Sequence, residues 1–128
     1  MKIKGVDHIT INMVNVKESF DFYENVIGLE RIKNVDMGDH ELYLYDLSDI
    51  KLELIEYKEE QKRIQAGNTD VGVYRHFALC VDDLEECRRR CEQAGYGINM
   101  YPEYIEQIGQ TVMLIRDPNG VEIEMIQA

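Results

Sequence analysis

The chain has 128 residues and a formal net charge of −11, from 25 Asp plus Glu against 14 Lys plus Arg. That length suits one domain with a real core and leaves no room for separate cofactor and substrate domains, so any chemistry has to come from a compact site. The acidic balance works against binding a nucleic-acid backbone or an anionic membrane surface, and no apolar run is long enough to span a bilayer.

A strand pattern begins almost at once, with no secretory leader ahead of it, which predicts a soluble, cytoplasmic protein. Ile9, Ile11 and Met13 alternate with His8, Thr10 and Asn12, so the histidine lies on the face opposite the apolar one. A helix follows, with Asn15 at the N-cap, Glu18 in the first turn, Val16, Phe20, Tyr23 and Ile27 as the apolar stripe and Gly28 closing it. Residues 29–36, 39–46 and 50–57 then read as three strands. Residues 58–72 form a polar linker with one helical turn at most.

The second half repeats this plan. Phe77, Leu79 and Val81 alternate, Asp83 caps a helix with Glu86 three residues on, Leu84, Cys87, Cys91 and Ala94 make the stripe, and Gly95 ends it. Strands are expected over 97–101, 109–116 and 121–127, the last two joined by the type I turn Asp117-Pro118-Asn119-Gly120. Arg88, Arg89 and Arg90 sit among Glu85, Glu86 and Glu92 and read as a solvated helix face. Three cysteines without CxxC spacing fit a reduced cytosolic protein better than a disulfide framework. The predicted organisation is one domain over 1–128, with repeat one at about 1–57, the linker at about 58–72 and repeat two at about 73–128.

Each repeat carries one His and one Glu at matching places. His8 and His76 are 68 residues apart and Glu53 and Glu124 are 71 apart, so a short insertion separates the paired features in the second copy. Ile50, Leu52 and Leu54 define the apolar face of the strand holding Glu53, as Val121, Ile123 and Met125 do for Glu124. All four polar groups are therefore expected on the face turned away from the helices. Two carboxylates facing each other repel unless a cation lies between them, and two neutral imidazoles complete a mixed nitrogen and oxygen set suited to zinc, nickel, cobalt, manganese or iron(II). Glu122, on the face of Glu124, and Glu56, near Glu53, are rival ligands; His40 has no counterpart in the second repeat and reads as a rim residue.

With its doubled unit, the Asp7-His8-Ile9-Thr10 opening, the run Phe22 to Leu29 and the close Asp117 to Glu124, the whole chain resembles the vicinal oxygen chelate superfamily, and within it the glyoxalase I (lactoylglutathione lyase) type. The resemblance implies an α+β fold of two tandem βαβββ modules forming a cupped, barrel-like mixed sheet (the glyoxalase/bleomycin resistance/dioxygenase fold). It implies a divalent metal (nickel, cobalt or zinc first, then manganese or iron) held by His8, Glu53, His76 and Glu124, the short chain being more like compact nickel- or cobalt-dependent forms than the longer zinc forms, and a homodimer in which modules of different chains can share a site. It further implies conversion of a methylglyoxal–thiol hemithioacetal to a lactoyl thioester through a metal-stabilised ene-diolate, with Glu124 as the proton-transferring base and Glu53 as its symmetry-related alternative. Relatives that use glutathione tend to carry Arg where this chain has Asn12, which leaves the thiol open. Methylmalonyl-CoA epimerases are the nearest alternative but typically have Gln in place of Glu53. Extradiol dioxygenases and fosfomycin-type thiol transferases usually need only three protein ligands, and drug-sequestering relatives lack the ligands altogether.

Overall fold

A computed structural model describes all of residues 1–128. Its contacts group them into two compact units, Met1–Arg63 and Ile64–Ala128, with the boundary inside the stretch read as a linker. The first unit runs β1 (His8–Asn12), α1 (Val16–Phe20) continuing directly into a π-helical stretch (Asp21–Val26), β2 (Arg31–Asp36), β3 (His40–Leu47) and β4 (Ile50–Tyr57). The second runs β5 (Phe77–Val81), α2 (Leu84–Ala94), β6 (Ile98–Ile105), β7 (Gln110–Arg116) and β8 (Glu122–Gln127). Each forms a four-stranded mixed sheet, ordered β1-β4-β3-β2 and β5-β8-β7-β6. The α+β class and the doubled βαβββ plan expected from the sequence are both present.

The decisive feature of each sheet is that its first and last strands lie side by side and parallel. Thr10 is in register with Glu53 in one sheet and Ala78 with Glu124 in the other. Those pairs are related by the same offsets, 68 and 71, that separate the two histidines and the two glutamates. In-register residues share a face, so His8 and Glu53 lie on one face of the first sheet. The opposite face of that sheet holds Leu52, Leu54 and Tyr45, all buried. The helical segment covers this apolar side: Phe20 meets Tyr43 edge to face at 4.7 Å, and the Tyr45 hydroxyl donates to Glu24 at 2.9 Å. In the second unit α2 lies across β6, β7 and β8, and Met113, Ile115, Ile123 and Met125 are buried on the face away from Glu124.

Several local expectations change. The buried line of the first helix is Ser19, Phe22, Tyr23 and Val26, whereas Val16, Phe20 and Ile27 are only half-buried. Ser19 can be buried because its hydroxyl donates to the Asn15 carbonyl at 2.6 Å, and its small side chain permits close approach to the sheet. Phe20 instead lies at the border, with the Arg31 guanidinium 4.2 Å above its ring. Asn15 holds the N-cap position, but its side chain makes no capping bond. In α2, Leu84 and Cys91 are buried and Ala94 is exposed. Strand β6 continues to Ile105 rather than ending before Pro102, because it is the outer strand and its pairing is irregular between Met100 and Glu103, where a missing amide donor is tolerated. Residues 58–72 contain turns but no helix. No helix is long and apolar enough to cross a membrane.

The second helix is capped as its sequence predicts. Asp83 accepts from the Glu86 amide at 2.9 Å, Gly95 adopts φ 78° at the C-cap, and the Tyr96 amide returns to the Cys91 carbonyl at 3.0 Å. Arg88, Arg89 and Arg90 each pair with glutamates of the same helix. Replacing Asp83 with Ala should lower the unfolding free energy by about 1 kcal/mol. Denaturant unfolding checks this, and an unchanged midpoint would show that the cap contributes nothing.

Candidate metal centre

In the second unit the predicted histidine and glutamate meet. His76 Nε2 lies 2.9 Å from Glu124 Oε2, with the side chains 31% and 19% exposed. The other ring nitrogen, Nδ1, is buried and has no hydrogen-bond partner, and Glu122 Oε1 lies beside it at 3.8 Å. Glu122 is held in turn by Arg75, which donates to Oε1, and by Asn99, whose Nδ2 donates to Oε2 at 2.8 Å. His76 therefore sits between two carboxylates.

In the first unit the pair is looser. Thr10 Oγ1 donates to Glu53 Oε1 at 3.2 Å, and His8, 43% exposed, makes its bond through Nδ1 to Asp7 Oδ2 at 2.7 Å. Hydrogen bonds from His8 and then from Lys51 hold the Asp7 carboxyl below its ordinary range. The ring must therefore donate from Nδ1, which leaves Nε2 with its lone pair exposed. Asp7 also pairs with Lys51 at 3.4 Å. Of the rivals, Glu56 is on the opposite face from Glu53, where the Tyr43 hydroxyl donates to it at 2.8 Å, and burial, with this bond to a carboxylate, pushes Tyr43 up to about 12. His40, half-buried at the start of β3, bonds Asp39 at 2.5 Å and stacks on Tyr57 at 4.9 Å, as a rim residue would.

No group of three or more His, Cys, Asp or Glu side chains stands together where a metal could be held. Each unit contributes one imidazole and one carboxylate to a single sheet face. The donor chemistry fits a divalent cation. The 2.9 Å separation of His76 Nε2 and Glu124 Oε2 is close to the roughly 3.0 Å expected between neighbouring ligands at right angles around an ion with bonds of about 2.1 Å. The buried Nδ1 of His76 is a polar atom that the protein alone leaves unsatisfied.

Residues 5–125 match the family model of the Glyoxalase/Bleomycin resistance protein/Dioxygenase superfamily. The chain belongs to that superfamily. A lactoylglutathione lyase of Neisseria meningitidis is 26% identical over 125 residues, covering 94% of this chain and 88% of that protein. Among solved structures, SMU.1112c superposes with a TM-score of 0.81 at 25% identity, over 98% of this chain and 99% of the other. A glyoxalase family protein from Enterococcus faecalis gives 0.79 at 20% identity over 98% and 99%, a likeness of fold.

Sequence reasoning picked out Glu122 as a rival ligand but not the ion pairs beside the histidines. Asp7 and Lys51 in one module correspond to Arg75 and Glu122 in the other, so the same cross-strand ion pair occurs twice with its charges exchanged. The offsets of 68 and 71 contain that signal, but only the parallel register turns it into a contact. In the metal-free protein the neutral His8 ring should carry its proton on Nδ1, the atom bonded to Asp7. Long-range ¹H–¹⁵N spectra check this, and a proton on Nε2 of His8 would contradict that bond.

Proposed function

We propose that the protein is a metal-dependent lyase of the glyoxalase I type, converting the hemithioacetal of methylglyoxal and a thiol into a lactoyl thioester. The observation that carries this reading is the His76–Glu124 pair on the non-core face, matched in register by Glu53 and His8 in the other module. Family membership and the lactoylglutathione lyase relatives support a divalent metal and a lyase reaction. The two modules then work as one functional domain, with His8, Glu53, His76 and Glu124 as ligands, either within one chain or across a cytoplasmic homodimer.

When bound, a divalent ion draws electron density from two neighbouring substrate oxygens and acidifies the adjoining C–H. Glu124 is the base: it takes the proton from the carbon bearing sulfur and returns it to the neighbouring carbonyl carbon. Its partly buried position limits competition from water, and His76 Nε2 lies 2.9 Å from its Oε2. Glu53 stays oriented by the Thr10 hydroxyl and acts as the second carboxylate of the set. The negative charges of both glutamates balance the ion, so the neutral imidazoles add donors without adding charge.

The test loads the metal-free protein with nickel, cobalt, zinc or manganese and assays methylglyoxal with several thiols alongside methylmalonyl-CoA. Hemithioacetal isomerisation is expected; epimerisation of methylmalonyl-CoA alone would replace this reading with that of an epimerase. Glu124→Gln should lower kcat by about 10²–10⁴-fold while weakening metal retention less than His8→Ala does. Normal turnover in Glu124→Gln would remove Glu124 as the base.

A further inference from the structure

Cys87 and Cys91 lie four residues apart on α2, the spacing that puts two side chains on one helix face. Cys91 is fully buried and Cys87 half-buried, so one thiol is open to solvent and its neighbour is enclosed. The neighbouring Cys91 thiol, and less strongly Arg90, hold Cys87 below the ordinary thiol range, although burial opposes them. Cys80, the third cysteine, is exposed on β5 opposite Ile126, on the sheet face that carries Glu124.

A disulfide needs Cβ atoms about 3.5–4.5 Å apart, whereas side chains four apart on a helix hold theirs about 5–6 Å apart. Closing an S–S bond would therefore distort α2, whose last turn is fixed by the Gly95 cap and by the bond from the Tyr96 amide to the Cys91 carbonyl. A linear sulfur–metal–sulfur bridge with bonds of about 2.3 Å sets its two Cβ atoms roughly 5.5–6.5 Å apart, which the undistorted helix supplies. Zinc asks for two further donors, and no group of three or more His, Cys, Asp or Glu stands there. A soft monovalent ion asks only for the two sulfurs. We propose that Cys87 and Cys91 form a two-thiolate site for copper(I), separate from the candidate catalytic centre and independent of how that centre is read. As two Cu–S bonds form, two thiol protons leave to solvent and the copper stays monovalent. The product carries one net negative charge in a partly buried place, and Arg90, which also pairs with Glu86 at 2.7 Å, lies close enough to Cys87 to offset it.

The experiment supplies copper(I) to the reduced full-length protein without air, in competition with the chromophoric chelator bicinchoninate, and reads the bound ion by X-ray absorption. One ion per chain is expected, with a shell of two sulfurs and no imidazole scattering. Cys87→Ser should weaken binding by more than about 100-fold, beyond the 10–100-fold that losing a group outside the ligand shell costs. Cys91→Ala should do the same, with circular dichroism confirming that the helices persist; because Cys87 is half-buried, its variant decides the matter even where Cys91→Ala impairs folding. Cys80→Ser should bind as the unaltered protein does. Copper(I) held as tightly by Cys87→Ser, a shell containing nitrogen, loss of binding in Cys80→Ser, or no binding at all would overturn the inference. None of these results bears on zinc at His8, Glu53, His76 and Glu124, so the two proposals fail separately.

Discussion

Parallel pairing between the first and last strand of each module is the constraint from which the candidate site follows. It brings Thr10 beside Glu53 and Ala78 beside Glu124 in the same relative register. Because strand side chains alternate, a slip of one residue would send the glutamates into the apolar side occupied by Leu52 and Leu54 or by Ile123 and Met125. The hydrophobic pattern therefore protects the register, and the register aims the carboxylates. The chain's chemistry depends on its core in this direct sense.

Electrostatics acts on top of that geometry. With 25 acidic side chains against 14 basic ones, most basic groups near the candidate ligands are already engaged. Lys51 pairs with Asp7 and Arg75 with Glu122, leaving Glu53 with a hydroxyl donor and Glu124 with an imidazole. Neither glutamate is paired with a lysine or an arginine, which leaves both available to a cation. The exchange of charge between the two modules keeps the cross-strand attraction while changing which strand offers a carboxylate to the histidine.

Much of the fold was legible before the coordinates. Alternation at Ile9, Ile11 and Met13 gave the face of His8, and Asp83 with Gly95 marked both ends of α2. The phase of the first helix was not legible, because its buried line includes Ser19, a polar residue made acceptable by its own bond to Asn15. Nor was the length of β6, since Pro102 reads as a terminator unless the strand is known to be outermost. For the candidate site, residue type and spacing pointed to His8, Glu53, His76 and Glu124, of which His76 and Glu124 stand 2.9 Å apart. The roles of Asp7, Arg75 and Glu122 depend on cross-strand contacts that no linear pattern contains.

The proposed centre is tested most directly by X-ray absorption on the zinc-loaded protein. Four ligands drawn from both modules predict a nitrogen and oxygen shell at about 2.0–2.2 Å, with the outer scattering of two imidazole rings. A sulfur shell at about 2.3 Å, which would point to Cys87 and Cys91, or the absence of imidazole scattering, would contradict the account.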